Sequence, residues 1–320
     1  MKKTILSALF CLLLLFLPAF SLTAETLLST PHAYPGDILT AVVYQGEAGD
    51  EILFMLEDSN GTVRSNAPGL PFEMEELSGN SYIGLLGLNS DLKAGTYKLR
   101  AEIRNGRGLS VYERPVLIRS LDFKQEDIPL NQKMSSLRTD DSEARRDQAR
   151  RLWALLNTRS AGGAPVKGVF LSPVEEFIPT TWYGDRRVYL YSDGGEAASL
   201  HNGLDMAAET GTEILTPMEG TVVMTENRII TGNTVVLEHL PGVYTLYYHM
   251  DSIAVKKGDE LVQGDLLGTL GSTGLVTGPH LHWELRVNTI PVDPERYLSR
   301  PLIDKDEILA IINDTNEQGR

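Results

Sequence analysis

Short alternating runs of apolar and polar residues, separated by turn residues, dominate the chain between positions 25 and 120. The clearest run, 97–104, places tyrosine, leucine, alanine and isoleucine on one face and charged side chains on the other. This alternation is typical of a half-buried antiparallel strand, and Asn105-Gly106 favours a turn after it. Further strands are predicted at 38–44, 51–56 and 111–118. We therefore predict an immunoglobulin-like β-sandwich over residues 25–120, although no Cys-Trp-Cys framework is present.

The next segment, 121–165, is polar and charged and contains one helical pattern, from Ser142 to Asn157. Residues three and four apart form an apolar stripe on this helix, made of Ala149, Leu152, Trp153 and Leu156. Asp141 is the predicted N-cap, and two glycines at 162–163 end the segment. We predict a helical linker that packs on a neighbouring domain, and the alternative is a movable element that covers a groove.

Strand and turn patterns resume from residue 166 to residue 300. Strands at 234–239 and 243–249 are joined by a Leu-Pro-Gly turn, glycines are dense, and no long amphipathic helix is indicated. This pattern predicts a mostly antiparallel β-sheet domain. The tail, 301–320, is predicted to form a short helix that frays from Asn313 onward.

The N-terminus is typical of a secretory signal, because two lysines precede an apolar run at 5–20. The run is short for a membrane helix, which needs about 20 apolar residues. We assign residues 1–24 to a signal peptide that is cleaved after Ser21 or Ala24, with an uncleaved anchor as the alternative. The mature chain is then expected in the periplasm or cell envelope, with no stable membrane span.

Composition narrows the classes of function. A length of 320 residues suggests about two domains, and the net charge of −14 disfavours nucleic acid as a partner. The only cysteine, Cys11, lies in the predicted signal peptide. The mature chain therefore offers no cysteine nucleophile and no cysteine metal ligand.

Histidines carry the candidate chemistry, since five of the six lie between positions 201 and 282. His201 and Asp205 form an HxGxD pattern, and His249 follows at the end of the predicted strand 243–249. His280 and His282 stand two apart on a predicted strand, so both side chains point to one face. Imidazole and carboxylate suit zinc, and a catalytic zinc site needs three protein ligands and one open position.

Other candidate chemistry is weaker. The chain has no HExxH motif, so a zincin mechanism with a glutamate base is not expected. His239 and His32 are assigned to structural roles, because the first ends a strand and the second lies in the N-terminal region.

The segment from about Pro165 to Tyr297 resembles the LytM/lysostaphin-type zinc metallopeptidases, which cut peptide cross-links in bacterial cell walls. The stretches that carry the resemblance are HNGLDMAAETGTEILTPMEGTVV, GNTVVLEHLPGVYTLYYHM, KKGDELVQGDLLGTLGSTG and TGPHLHWELRV. The resemblance covers the C-terminal part of the chain only. It implies a LytM-type peptidase domain over residues 166–300.

The resemblance also implies a role for each site residue. His201, Asp205 and His282 are implied as ligands of Zn²⁺, with the fourth position left for water. His249 and His280 are implied as the two histidines of the site that do not bind metal. One would act as general base and the other as oxyanion donor, and the sequence leaves open which is which.

Residues around the motifs have two interpretations each. Glu284 is interpreted as a charge at a strand edge, with a carboxylate that orients an imidazole as the alternative. The stretch TTWYGDRR, 180–187, stands where family members have an arginine-containing strand. We expect Trp182 and Tyr183 to pack in the core, and the alternative is that they line a substrate groove. The segment that follows, 188–200, is longer than usual for the family, and its Asp193-Gly194-Gly195 predicts a loop at the rim of that groove.

The predicted function is that of a zinc metalloendopeptidase that hydrolyses peptide cross-links or stem peptides of bacterial peptidoglycan. The alternative is a catalytically silent LytM-like protein that binds the wall or regulates another cell-wall hydrolase. A third hypothesis is an adhesion module in which the sandwich is the working part. The expected partners are peptidoglycan peptides, and the N-terminal domain is a candidate to contact another cell-envelope protein.

Overall fold

The computed structural model describes residues 26–74, 80–162 and 168–318, so the predicted signal peptide and Cys11 lie outside the described residues. The prediction of a mainly β chain is confirmed. Three α-helices occur within the described ranges, and none of them is long and apolar enough to span a membrane.

The N-terminal part consists of nine strands in two sheets that face each other. The strands are β1 (Thr26–Ser29), β2 (His32–Ala33), β3 (Ile38–Gly46), β4 (Glu51–Glu57), β5 (Val63–Pro68), β6 (Leu70–Phe72), β7 (Asn80–Gly87), β8 (Gly95–Asn105) and β9 (Gly108–Ile118). One sheet has the order β1-β3-β7-β6 and the other the order β2-β9-β8-β4-β5. Both sheets contribute to one core, which includes Val43, Phe54, Leu86 and Leu99. The immunoglobulin-like assignment stays a prediction.

The alternation in residues 97–104 appears in β8 as predicted. Tyr97, Leu99, Ala101 and Ile103 are all buried, and the residues between them are not. The strand pairs with β4 on one side and β9 on the other, so its apolar face lies at the centre of the five-stranded sheet.

The linker contains a strand and two helices, β10 (Gln125–Pro129), α1 (Gln132–Thr139) and α2 (Glu143–Leu156). The sequence predicted only α2, and it placed the N-cap one residue early. Ser142, not Asp141, is the N-cap, and its side chain accepts a hydrogen bond from the backbone N–H of Arg145 at 3.2 Å.

The apolar face of α2 packs on the C-terminal part of the chain. Leu156 is buried in a cluster with Val236, Tyr244 and Leu246, and Leu152 and Leu155 pack against that cluster. Trp153 does not belong to this face, because it is 60% exposed. The apolar face of α2 therefore packs on a neighbouring sheet, as predicted.

Leu156→Ala is expected to lower the free energy of unfolding by about 2–5 kcal/mol, the usual cost of truncating a fully buried leucine. Trp153→Ala on the same helix is the matched control and should change it by about 0.5 kcal/mol or less, since its side chain is mostly exposed. Denaturant unfolding of both variants checks this. Equal losses would contradict the assignment of the packed face.

The C-terminal part is built from twelve further strands. They are β11 (Ile178–Thr181), β12 (Arg186–Leu190), β13 (Glu196–Leu200), β14 (Leu204–Ala207), β15 (Glu213–Leu215), β16 (Gly220–Arg228), β17 (Gly232–Leu240), β18 (Val243–Ile253), β19 (Glu260–Leu261), β20 (Leu266–Leu270), β21 (Leu281–Val287) and β22 (Ile290–Val292). A 3₁₀ helix (Pro294–Leu298) and α3 (Lys305–Gln318) follow.

Two sheets in this part matter for the site. The larger one has the order β11-β14-β21-β18-β17-β16-β19, with β15, β20 and β22 attached. The predicted antiparallel hairpin between β17 and β18 is present. A smaller sheet has the order β10-β12-β13, in which the linker strand β10 runs parallel to β12.

The N-terminal and C-terminal parts share a hydrophobic core. Val42 and Ile83 from the first part belong to the same buried cluster as Trp283 and as Ile308 of α3. The backbone N–H of Ile38 also donates to the Tyr297 hydroxyl at 2.7 Å. The tail is helical as predicted, but α3 continues past Asn313 to Gln318 where fraying was predicted, and its apolar face completes this core. The domain boundaries stay a prediction.

Candidate metal centre and active site

Two paired strands bring the first candidate ligands together. Asp205 on β14 lies directly opposite His282 on β21, and His201 stands just before β14. Gly203 lets this segment approach β21, because a Cβ there would lie 2.3 Å from the Trp283 carbonyl oxygen. The glycine of the HxGxD pattern is thus required by the close approach of two backbones.

The three side chains direct one polar atom each toward a common point. The Asp205 Oδ1 lies 3.0 Å from the His201 Nε2 and 2.7 Å from the His282 Nδ1, and these two nitrogens are 2.9 Å apart. All three residues are almost fully buried. Two nitrogens and one oxygen at such distances form a group that could hold a metal ion.

Partners outside this group hold the remaining polar atoms of His201 and Asp205. The His201 Nδ1 donates to the Trp182 carbonyl oxygen at 2.8 Å, so its Nε2 carries the lone pair. The Asp205 Oδ2 accepts from the Arg187 Nη2 at 2.6 Å, which leaves Oδ1 directed inward. Burial alone would raise the pKa of Asp205, but its polar contacts with His201 and His282 hold that pKa well below its usual value.

A buried carboxylate holds the third candidate ligand. The Glu284 Oε1 lies 3.1 Å from the His282 Nε2, and its Oε2 accepts from the Arg286 Nε at 2.6 Å. Glu284 is only 4% exposed, so its interpretation as a strand-edge charge is wrong and the alternative of a carboxylate that orients an imidazole is confirmed.

Charge and stacking complete this arrangement. Burial would raise the pKa of Glu284, but the charge of Arg286 and the His282 hydrogen bond lower it to about 2. Burial would lower the pKa of His282, but hydrogen bonds to Asp205 and Glu284 raise it to about 9. The Tyr248 ring stacks on His282, with centroids 5.3 Å apart.

Glu284→Gln is expected to weaken metal binding about 10- to 100-fold, the usual effect of removing a carboxylate that supports a ligating histidine. The amide keeps the size of the side chain but removes the charge that holds His282 and Arg286. Metal affinity measured by competition with a chromophoric chelator checks this. Glu213→Gln is the control, because Glu213 is exposed on β15, and an equal loss in both variants would contradict the role of Glu284.

His249 has a strained backbone, with φ at +63°. A histidine in this left-handed region costs free energy and marks a candidate functional position. The backbone N–H donates to the Thr231 carbonyl and the ring Nδ1 donates to the Thr273 carbonyl, both at 2.8 Å. Burial, with the charges of His280 and His282, lowers the pKa of His249 to about 3.

His280 has the same tautomer as His249. Its Nδ1 donates to the Gly278 carbonyl at 2.9 Å, and its Nε2 lies 3.7 Å from the Asp205 Oδ1. Burial lowers the pKa of this ring as well. The two ring centroids are 5.0 Å apart. Each histidine therefore presents a lone pair on Nε2 beside the candidate metal ligands.

All five predicted site residues line one groove of about 570 Å³. Its lining includes the loop 275–279, residues of β10 and α1, and Tyr189. The remaining histidines lie elsewhere. His239 bonds the Thr245 hydroxyl at 2.7 Å, and His32 borders a separate cavity beside Asp37.

The stretch TTWYGDRR serves both the core and the site. Tyr183 is buried and donates to the Pro291 carbonyl at 2.9 Å, and Trp182 is half-buried against the core. Arg187 instead reaches Asp205. Sequence analysis assigned no role to Arg187, although an arginine close before a histidine motif was the available signal.

Comparison with known proteins supports this interpretation of the C-terminal part. Residues 199–294 match the model of Peptidase family M23. The peptidoglycan DD-endopeptidase ShyA of Vibrio cholerae is 47% identical over 93 residues, which are 29% of this chain and 22% of that protein. The DD-carboxypeptidase/endopeptidase Mpg of Neisseria meningitidis is 40% identical over 95 residues, 30% of this chain and 22% of that protein. The chain thus spans about a fifth of the length of these relatives.

One solved structure resembles most of the chain. It is that of a Pseudomonas aeruginosa protein assigned to peptidase M23, with a TM-score of 0.58 and 25% identity, covering 85% of this chain and 96% of that one. Residues 199–294 form a peptidase family M23 domain, which confirms the resemblance of the C-terminal part to this class of peptidase.

Proposed function

We propose that this protein is a zinc metalloendopeptidase that hydrolyses peptide cross-links or stem peptides of peptidoglycan. The observation that carries the proposal is the convergence of His201, Asp205 and His282 inside a peptidase family M23 domain. Relatives of that domain are named peptidoglycan DD-endopeptidases. The site residues and their roles are part of this proposal.

Zinc fits the group of donor atoms. Zinc prefers nitrogen and oxygen ligands at about 2.0–2.2 Å in a tetrahedron, which would place the donors about 3.4 Å apart. The observed separations of 2.7–3.0 Å need to widen by about 0.4–0.7 Å to reach this spacing. His201 would bind through Nε2, Asp205 through Oδ1 and His282 through Nδ1. When bound, zinc supplies a Lewis acid that polarises the carbonyl group to be cleaved.

His249 and His280 supply proton transfer. Each ring donates its Nδ1 proton to a backbone carbonyl, so each Nε2 can accept a proton from the attacking water. The same Nε2 can stabilise an oxyanion as a donor only after it has taken up a proton. One histidine is therefore assigned as the general base that takes the proton of the water, and the other as the oxyanion donor, which must first take up a proton from solvent.

A catalytically silent wall-binding protein or regulator is the second candidate. Silent relatives are expected to lack ligands or proton-transfer groups. Here all five residues line one groove, and each of their rings or carboxylates is held by a defined partner. This completeness favours an active enzyme.

We place the protein in the periplasm or cell envelope, where peptidoglycan lies. The support is the apolar segment after two lysines at the N-terminus and the names of the relatives. The N-terminal sheets then hold the peptidase part in position or contact a further envelope protein.

The decisive experiment is digestion of purified peptidoglycan by the mature chain, with mass spectrometry of the released peptides. We expect a defined peptide bond to be cut, the activity to disappear with a chelator and to return with zinc. Asp205→Asn serves as the inactive control. Full zinc occupancy without any cut bond would instead support the silent wall-binding protein.

A further inference from the structure

The linker forms one wall of the substrate groove. Strand β10 pairs along its whole length with β12, and Ile128 lies opposite Tyr189. A hydrogen bond joins helix α1 to the hairpin formed by β12 and β13, in which the Ser192 N–H donates to the Ser135 hydroxyl at 3.0 Å. This wall lies outside residues 199–294, so it is a feature of this chain beyond the matched family domain.

Arg138, in the last turn of α1, faces this groove. Its guanidinium carbon lies 3.6 Å from the centre of the Tyr189 ring, which holds the group by stacking. Tyr189 in turn forms a side-chain hydrogen bond with Arg187, the partner of Asp205. Two side chains thus connect Arg138 to a candidate metal ligand.

The Arg138 guanidinium is not fully hydrogen-bonded within the described part of the chain. Its Nε is buried without a hydrogen-bond partner. Over residues 26–74, 80–162 and 168–318 no carboxylate forms an ion pair with it, although β10 brings Glu126 and Asp127 to the same wall. A half-buried, stacked guanidinium with free donors is suited to bind a planar anion through two parallel hydrogen bonds.

We propose that Arg138 is a specificity-determining residue that binds a carboxylate of the peptide substrate. The peptide then lies between the wall made by β10 and α1 and the loop 275–279, with the bond to be cleaved at His201, Asp205 and His282. The guanidinium selects peptides that carry a free carboxylate a short distance from that bond. The proposal rests on the function proposed above, since it names a feature of the same substrate.

The test uses three synthetic cross-linked wall peptides. One carries all its carboxylates, the second has only its C-terminal carboxylate converted to a carboxamide, and the third has only its side-chain carboxylates converted. The mature chain and Arg138→Gln are compared on each by kcat/KM. Lys133→Gln is the matched control, because Lys133 is an exposed cation on the same helix that does not line the groove.

We expect the mature chain to prefer the unmodified peptide over one of the amidated peptides by about tenfold or more, the range of a hydrogen bond to a charged group. The disfavoured peptide identifies the source of the carboxylate. Arg138→Gln should lose this preference, chiefly through KM, and Lys133→Gln should keep it. An Arg138→Gln variant that loses activity equally on all three peptides would show a purely structural role and overturn the proposal.

Binding measured by calorimetry separates this proposal from the proposed function. The zinc-loaded chain should bind the unmodified peptide more tightly than the disfavoured one even if it cuts neither, and Arg138→Gln should bind both equally. If the chain cleaves none of the peptides but keeps this binding preference, the proposed enzymatic activity is wrong and the proposed carboxylate site stands. Equal binding of all three peptides by the mature chain would overturn the site.

Discussion

Alanine in place of His201, Asp205 or His282 is expected to remove zinc and abolish peptide cleavage together. Each side chain supplies one of the three converging donor atoms, and two remaining donors do not hold a catalytic zinc site. We expect zinc content below a tenth of that of the unmodified chain and cleavage at background. Metal analysis by mass spectrometry and peptide release from purified peptidoglycan check the two effects.

The fold must survive these changes for the test to be informative. Circular dichroism and a thermal melt at saturating chelator compare each variant with the unmodified chain under equal conditions. His239→Ala is a useful contrast, because His239 is buried in the same sheet but bonds Thr245 and not the site. Retention of full zinc by all three ligand variants would show that the metal lies elsewhere.

The five candidate site residues could be picked out from the sequence because they stand in short motifs that resemble those of a known peptidase family. His282 lies on β21 and His280 lies just before it, and Asp205 follows His201 with the close-packed Gly203 between them. The partners that hold them were harder to predict. Trp182 holds His201 through its backbone carbonyl oxygen. Every residue type has this group, so the sequence could not indicate the contact.

Contacts distant in sequence explain the remaining errors about the site. Arg187 reaches Asp205 across 18 positions, so its role depends on how two sheets meet. Glu284 was predictable as a possible partner of His282, but nothing in the sequence showed that it would be buried. Burial decided between the two interpretations.

The helix errors have a different origin. Both Asp141 and Ser142 are good N-caps, so residue type alone does not choose between them, and in the structure it is Ser142 that accepts from the Arg145 N–H. Leu155 and Trp153 lie on opposite flanks of the stripe, and the shape of the sheet around Val236 and Tyr244 selects Leu155. Helix α1 and strand β10 are short and polar, and the structure stabilises them through β12 and Tyr189.

His249→Ala and His280→Ala are expected to keep zinc and lose at least about 100-fold in kcat, the usual contribution of a positioned proton-transfer group. Both rings line the groove, yet the three converging donors belong to other residues. The loss should therefore appear in kcat with little change in KM. His32→Ala, outside the groove, should have neither effect.

Comparison of the two variants also assigns the roles that the sequence leaves open. Both rings present Nε2 as an acceptor, so the general base is the one whose loss is repaired by a proton acceptor from solution. Added imidazole should restore part of kcat in that variant and little in the other, because an oxyanion donor must also occupy a fixed position. If either variant loses zinc, that histidine is a metal ligand, and one of His201, Asp205 and His282 is wrongly assigned as one.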